Sequence, residues 1–223
     1  MDKRFWAIIG VIVVIFGGLV FYNNTKKDTS SSQNNSSTGA TNHVKGNQSS
    51  KVTLVEYGDY QCPACESFNP TVDAVYEKYQ DKIKFQFRNL PLTQIHQNAF
   101  AGARAAEAAD LQGKFWEMHD TLYASSNWQV WSTAQDPKPY FWNYAKNLGL
   151  DEAKFKTDFA SSTVNSRINA DMAAFDETGE QKSTPTFFIN GVVVKNSDLL
   201  DSNNQPSLEK FSAVIDAALA KNQ

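Results

Sequence analysis

Cys62-Pro63-Ala64-Cys65 lies between an apolar run (Val52, Leu54, Val55, Tyr57) and a helical pattern of Phe68, Val72, Val75, Tyr76 and Tyr79. Two thiols therefore stand at a strand-to-helix junction, with Pro63 at the first helical position, where a missing N–H is no loss. They are the only two cysteines in the chain. A structural disulfide framework uses more cysteines, spread along the sequence; two thiols this close point to redox chemistry. The thiolate is the nucleophile of disulfide exchange, and the unpaired N–H groups of a helix N-terminus favour negative charge. Cys62 is therefore expected to be the exposed attacking sulfur, with a depressed pKa. Cys65, one turn further on the same face, is expected to be the shielded sulfur that resolves a mixed disulfide.

The pattern around this motif predicts one α/β domain. Lys51 to Tyr57 reads as a buried strand, Gly58 to Gln61 as a turn, and Ile83 to Leu90 as a second strand with Phe85 and Phe87 alternating against Gln86 and Arg88. Pro70 falls inside the first helix and is expected to bend it. Helices follow at 98–111, 114–123, 139–148, 151–160 and 163–179, with Trp128 and Trp131 marking an aromatic loop between them. Asn190-Gly191 between Thr186–Ile189 and Val192–Lys195 is a strong hairpin signal. A helix over 207–220 closes the chain, with Leu208, Phe211, Val214, Ile215 and Leu219 inward. The result is a mixed sheet with an inserted helical layer.

Upstream, Phe5 to Tyr22 is an uncharged apolar stretch. As a helix it is about 27 Å long, near the hydrocarbon thickness of a bilayer. A cleaved signal peptide needs small residues at its cleavage site, whereas Gly17-Gly18 is followed by Leu19, Val20, Phe21 and Tyr22. An uncleaved anchor over 5–22 is expected, with 1–4 as its cytoplasmic end. Residues 23–50 are mostly Asn, Ser, Thr, Gln and Lys, too polar to offset ordering entropy. They are expected to form a disordered tether of about 30 Å. Residues 51–223 then make the folded domain, with the helical insert at about 94–162. The net charge of −3 is mild, and no basic patch or phosphate-binding loop argues for nucleic acid or nucleotide.

Two further features bear on the motif. Glu56, six residues before Cys62, interrupts an otherwise apolar strand. A carboxylate there lies either exposed on a sheet edge or behind the cysteine pair, where burial raises its pKa and lets it take a proton from Cys65. Thr184-Pro185 directly precedes the Thr186–Ile189 strand, and a proline cannot donate to a sheet ladder. A cis bond there leaves nearby backbone groups free for an extended substrate.

Glu56, Cys62-Pro63-Ala64-Cys65, Pro70 and Ser183-Thr184-Pro185-Thr186-Phe187 together resemble the thioredoxin superfamily. Within it the chain is similar to DsbA-like thiol:disulfide oxidoreductases, especially the membrane-tethered forms of Gram-positive bacteria. The segment from His96 through Ala105-Ala106-Glu107-Ala108 to Gly113-Lys114-Phe115-Trp116-Glu117-Met118-His119 resembles that family's helical insert. The resemblance implies a thioredoxin fold with an inserted helical domain, behind one transmembrane helix. It implies that Pro185 is cis beside the cysteines, with Thr184 before it, and that Glu56 holds the buried acid position. Ala64 departs from the histidine of the best-known oxidase, so one stabiliser of the Cys62 thiolate is missing.

The function implied is a single-pass cell-membrane enzyme with its catalytic domain outside the cytoplasm. It donates the Cys62–Cys65 disulfide to reduced or unfolded secreted proteins, with no other cofactor and no metal. A membrane oxidase or small-molecule oxidant must restore the disulfide. An extracytoplasmic reductase or isomerase uses the same residues. A zinc module lacks a second cysteine pair, and His43, His96 and His119 are scattered. A non-redox peptide binder does not need both cysteines. His96 and His119 are expected to serve the surface or helix packing.

Overall fold

The computed structural model describes residues 39–221. The expected cytoplasmic end, the anchor over 5–22 and the tether as far as residue 38 lie outside the described residues. Among the described residues no helix is long and apolar enough to cross a membrane.

Five strands form one mixed sheet in the order β1-β3-β2-β4-β5. These are β1 His43–Gly46, β2 Thr53–Gly58, β3 Lys84–Asn89, β4 Thr186–Ile189 and β5 Val192–Val194. The helix α1, Pro63–Tyr79, crosses from β2 to β3, which run parallel; the other pairings are antiparallel. The hairpin forms where Asn190-Gly191 predicts it, with both residues at positive φ, as its tight turn requires.

One face of the sheet carries Leu54, Phe85, Phe187 and Ile189. It packs against Phe68, Val72 and Val75 of α1 and against Phe211 and Ile215 of the last helix, α8, Leu208–Ala220. Leu208, expected inward, is exposed at the first turn of α8. Six helices fill the stretch between β3 and β4: α2 Ala99–Asp110, α3 Phe115–Tyr123, α4 Ser125–Trp131, α5 Lys138–Asn147, α6 Glu152–Phe159 and α7 Ser162–Asp176. The helical layer thus runs past residue 162. Its last member covers the opposite sheet face, where Phe175 packs with Tyr57 and Phe188. The expected aromatic loop is the helix α4, because Trp131 is fully buried and its indole donates to the Leu122 carbonyl at 2.9 Å.

The largest correction concerns the tether. Residues 43–46 form an edge strand paired with β3, and Thr41 and His43 are buried. Thr41 donates through N–H and Oγ1 to Asp171 at 2.6 and 2.8 Å. His43 stacks flat on Phe115, ring centroids 3.5 Å apart, with Nε2 2.6 Å from Glu107. Polar composition misleads here because the polar groups find buried acidic partners more than sixty residues away.

Arg167 completes this ion network by pairing with Glu107 at 2.8 Å and with Asp110. Burial lowers the His43 pKa, but hydrogen bonds and charge from Asp110 and Glu107 outweigh it, and the net shift is upward. Stability from charged His43 is therefore whole below about pH 6.5 and is lost as pH rises through the raised folded value. We expect the stability difference between the native chain and His43→Gln, read as urea midpoints, to shrink by about 1–2 kcal/mol from pH 6 to pH 9. A difference independent of pH contradicts the assignment.

Candidate active site

The cysteine pair is built from three segments. The end of β2 delivers the chain to residues 59–61, which turn into α1. Cys62 is the N-cap residue of that helix and Pro63 opens it, so helix N–H groups face the first sulfur. The third segment is the loop before β4, where Thr184–Pro185 is cis. The Cys62 thiol lies against it, donating to the Thr184 carbonyl at 3.4 Å.

Cys62 is only 7% exposed and Cys65 0%. The expectation of an openly exposed Cys62 is corrected: the residue is largely buried with its sulfur against the Thr184 carbonyl, and Cys65 has no surface at all. Their electrostatics diverge. A hydrogen bond from the Cys65 thiol is the main stabiliser of the Cys62 thiolate. The Thr184 hydroxyl and the N–H groups of Cys65 and Ala64 add to it, and together they outweigh burial to bring Cys62 down to about 6. Thr184 Oγ1 is buried and takes no partner otherwise, so it is free to serve that sulfur. Burial pushes Cys65 well above the usual thiol range, helped by Cys62 and by the charge of Glu56.

Glu56 is 3% exposed, so the edge-exposed alternative does not hold. It shares a sheet face with Leu54, flanked by Phe87 on β3 and Phe187 on β4. Burial, with repulsion from Asp73, raises its pKa to about 8, against the pull of Lys45. Lys45 comes from β1, inside the stretch expected to be tether. Its ammonium sits 4.2 Å from the Tyr76 ring, 4.4 Å from the Trp116 ring and 4.0 Å from Asp73.

The free-backbone expectation at Thr184-Pro185 needs revision. The carbonyls of Ser183, Thr184 and Pro185 accept from the Thr186 hydroxyl, the Cys62 thiol and the Asn196 amide respectively. Only the Thr184 acceptor depends on the state of Cys62, since ionising or oxidising that sulfur removes the S–H that engages it.

Residues 59–61 do more than form the expected turn: each is tied to the helical insert. Asp59 binds His96 at 2.7 Å. The Tyr60 hydroxyl lies 3.0 Å from His119, and its carbonyl accepts from the Trp128 indole. Gln61 bonds the Ser132 carbonyl and the Asn98 N–H. His119 is 2% exposed, with burial pushing its pKa well below the usual value, so it packs as a neutral ring, as expected. His96 instead has a charge partner that no local spacing reveals. Gly58 is required by space: a Cβ there lies 2.4 Å from the Phe87 ring.

Comparison with known proteins agrees with this arrangement. The thioredoxin family profile matches residues 38–217. The chain is 37% identical over 152 residues to a Na(+)/H(+) antiporter NhaA 1 of Mycolicibacterium gilvum, covering 67% of this chain and 23% of that protein. It is 38% identical over 180 residues to NhaA 1 of Salinispora arenicola, covering 80% of this chain and 25% of that protein. The chain thus spans about a quarter of the length of these relatives. Among solved structures, BdbD from Bacillus subtilis superposes with TM-score 0.63 at 23% identity, over 80% of this chain and 93% of that one. Alpha-DsbA1 of Wolbachia pipientis superposes with TM-score 0.65 at 20% identity, over 81% and 92%. The solved structures share the fold, helical insert included, and the profile match over most of the chain leads to one conclusion: the chain belongs to the thioredoxin family.

Proposed function

We propose that this chain is a thiol:disulfide oxidoreductase that donates the Cys62–Cys65 disulfide to reduced proteins outside the cytoplasm. The observation that carries the reading is the asymmetry of the pair. Cys62 is brought down to about 6 at a helix N-terminus, while Cys65 is fully buried and pushed up. A pair stabilised as Cys62 thiolate favours the dithiol form and so gives its disulfide away more readily.

In that direction the roles expected from the sequence run in reverse. A substrate thiolate attacks Cys62 Sγ, the Cys62–Cys65 bond breaks, and Cys65 leaves. Because burial disfavours a Cys65 thiolate, it takes up a proton. Glu56, still protonated at neutral pH with its value near 8, is placed by charge coupling to supply it. A second substrate thiolate then attacks the substrate sulfur of the mixed disulfide and releases Cys62 as a thiolate, a good leaving group at its depressed pKa. The substrate gains one disulfide, and Cys62 and Cys65 end as a dithiol. With Cys62 oxidised, the Thr184 carbonyl is free to accept a substrate N–H.

The reading needs no cofactor beyond the disulfide. A membrane oxidase or small-molecule oxidant must accept the two electrons. The setting outside the cytoplasm, on a membrane anchor, is supported by the apolar stretch at 5–22. The transport named for the antiporter relatives is not carried over, since the match spans about a quarter of their length.

One observation favours a second reading, a reductase or isomerase. A Cys62 value of about 6 lies between about 7 for thioredoxin and about 3.5 for DsbA. Equilibration with glutathione decides between them. We expect a reduction potential above about −200 mV; a value near about −270 mV, that of thioredoxin, rules out the donor role.

A further inference from the structure

We infer that Asp59 and His96 act as a positioning pair for Cys65, holding the Asp59 main chain against both cysteines. The inference rests on the thiol–disulfide reading above and names residues it does not use. The Asp59 N–H donates to Cys65 Sγ at 3.5 Å, and its carbonyl accepts the Cys62 N–H at 3.0 Å. One residue therefore brackets the pair.

Its backbone is held from the side chain outward. The Asp59 carboxylate is fully buried and takes three donors from two loops. Oδ1 accepts from the Gln61 N–H at 2.8 Å, and Oδ2 from the Leu92 N–H at 2.9 Å and from His96 Nδ1 at 2.7 Å. On the other side, the Gly58 carbonyl accepts the Leu90 N–H at 2.8 Å. The peptide unit between Gly58 and Asp59 is thus anchored at both ends, and its N–H points at the resolving sulfur. An ordinary turn needs the Gln61 contact alone. The His96 and Leu92 contacts, more than thirty residues away, add rigidity where a sulfur must carry charge for a moment.

Cys65 is charged whenever it leaves Cys62 or attacks it, and a hydrogen bond to a charged group is worth more than one to a neutral group. Loosening Asp59 therefore slows steps in which Cys65 bears charge and spares those confined to Cys62. Oxidised glutathione separates the two. The Cys62 thiolate attacks it, releasing one glutathione thiolate and leaving Cys62 joined to the other. Cys65 thiolate then attacks Cys62 Sγ, releases the second glutathione thiolate, and closes the Cys62–Cys65 disulfide.

The full chain, reduced and mixed with oxidised glutathione, is followed by rapid acid quench and mass measurement. In Asp59→Asn the second release is expected to slow about 10-fold, with the first within about 2-fold of the native chain. His96→Ala slows the second release in the same way but less, and His96→Gln, which keeps an N–H for Oδ2, restores it. If Asp59→Asn does not fold, the two His96 variants carry the test. An unchanged second release in folded His96→Ala overturns the inference, as does equal slowing of both releases. If the native chain releases no glutathione at all, the thiol–disulfide reading itself fails instead.

Discussion

Cys62→Ala is expected to reduce disulfide donation to a reduced, unfolded test protein to background, while Cys65→Ala, reduced and mixed with a disulfide-bearing partner protein, becomes trapped on it. The two sulfurs are not interchangeable, because only Cys62 has any surface and only Cys62 sits at the helix N-cap beside Thr184. A substrate sulfur can reach Cys62 and not Cys65. With Cys65 gone, the thiolate of Cys62 still attacks a disulfide, but no second sulfur remains to release the product. The mixed disulfide persists and is visible as a mass increase that a reductant removes. Oxidation of the test protein by Cys62→Ala at the native rate, or trapping by that variant rather than by Cys65→Ala, contradicts the assignment.

Glu56→Gln is expected to stabilise the fold at alkaline pH relative to the native chain. The Glu56 carboxyl ionises near 4.5 when unfolded and, through burial and repulsion from Asp73, at about 8 when folded. A raised value means that the folded state holds a proton the unfolded state has lost. Its stability is therefore whole below pH 4.5, falls as pH rises, and levels off once the folded group ionises at about 8. At about 1.4 kcal/mol per unit, the loss across that window is roughly 4–5 kcal/mol. Glutamine does not titrate and should remove this slope. The comparison belongs in the oxidised form, where neither cysteine titrates. There the gain of Glu56→Gln over the native chain, read from urea unfolding, should grow by several kcal/mol between about pH 5 and pH 9. A constant difference means that Glu56 ionises as it does in water.

Much of this architecture was legible because its signals are local. Asp151 accepts from the Lys154 N–H at 2.9 Å as a helix cap, and the Asn190-Gly191 turn joins β4 to β5. Pro63 at the start of α1 follows from its ring geometry alone. What failed was inference from composition. Thr41 to Lys45 looked like tether because its residues are polar, yet Asp171, Glu107 and Phe115 bury two of them. Trp128 and Trp131 looked like a loop because their surroundings are irregular, yet tertiary partners for both indoles order the segment as α4.

The amino-acid sequence by itself determined the pair Cys62 and Cys65, the acid six residues before Cys62, the Thr-Pro loop and, α4 apart, the order of elements from β2 onward. These depend on spacing, propensity and turn chemistry, which act over a few residues. Only the tertiary structure decided how charge is distributed at the pair. Thr184 reaches Cys62 from 122 residues away, Lys45 from β1 acts on Glu56 across the sheet, and His96 steadies Asp59 from another loop. Desolvation, hydrogen bonding and charge set the pKa values of Cys62, Cys65 and Glu56, and all three depend on which distant groups the fold brings together.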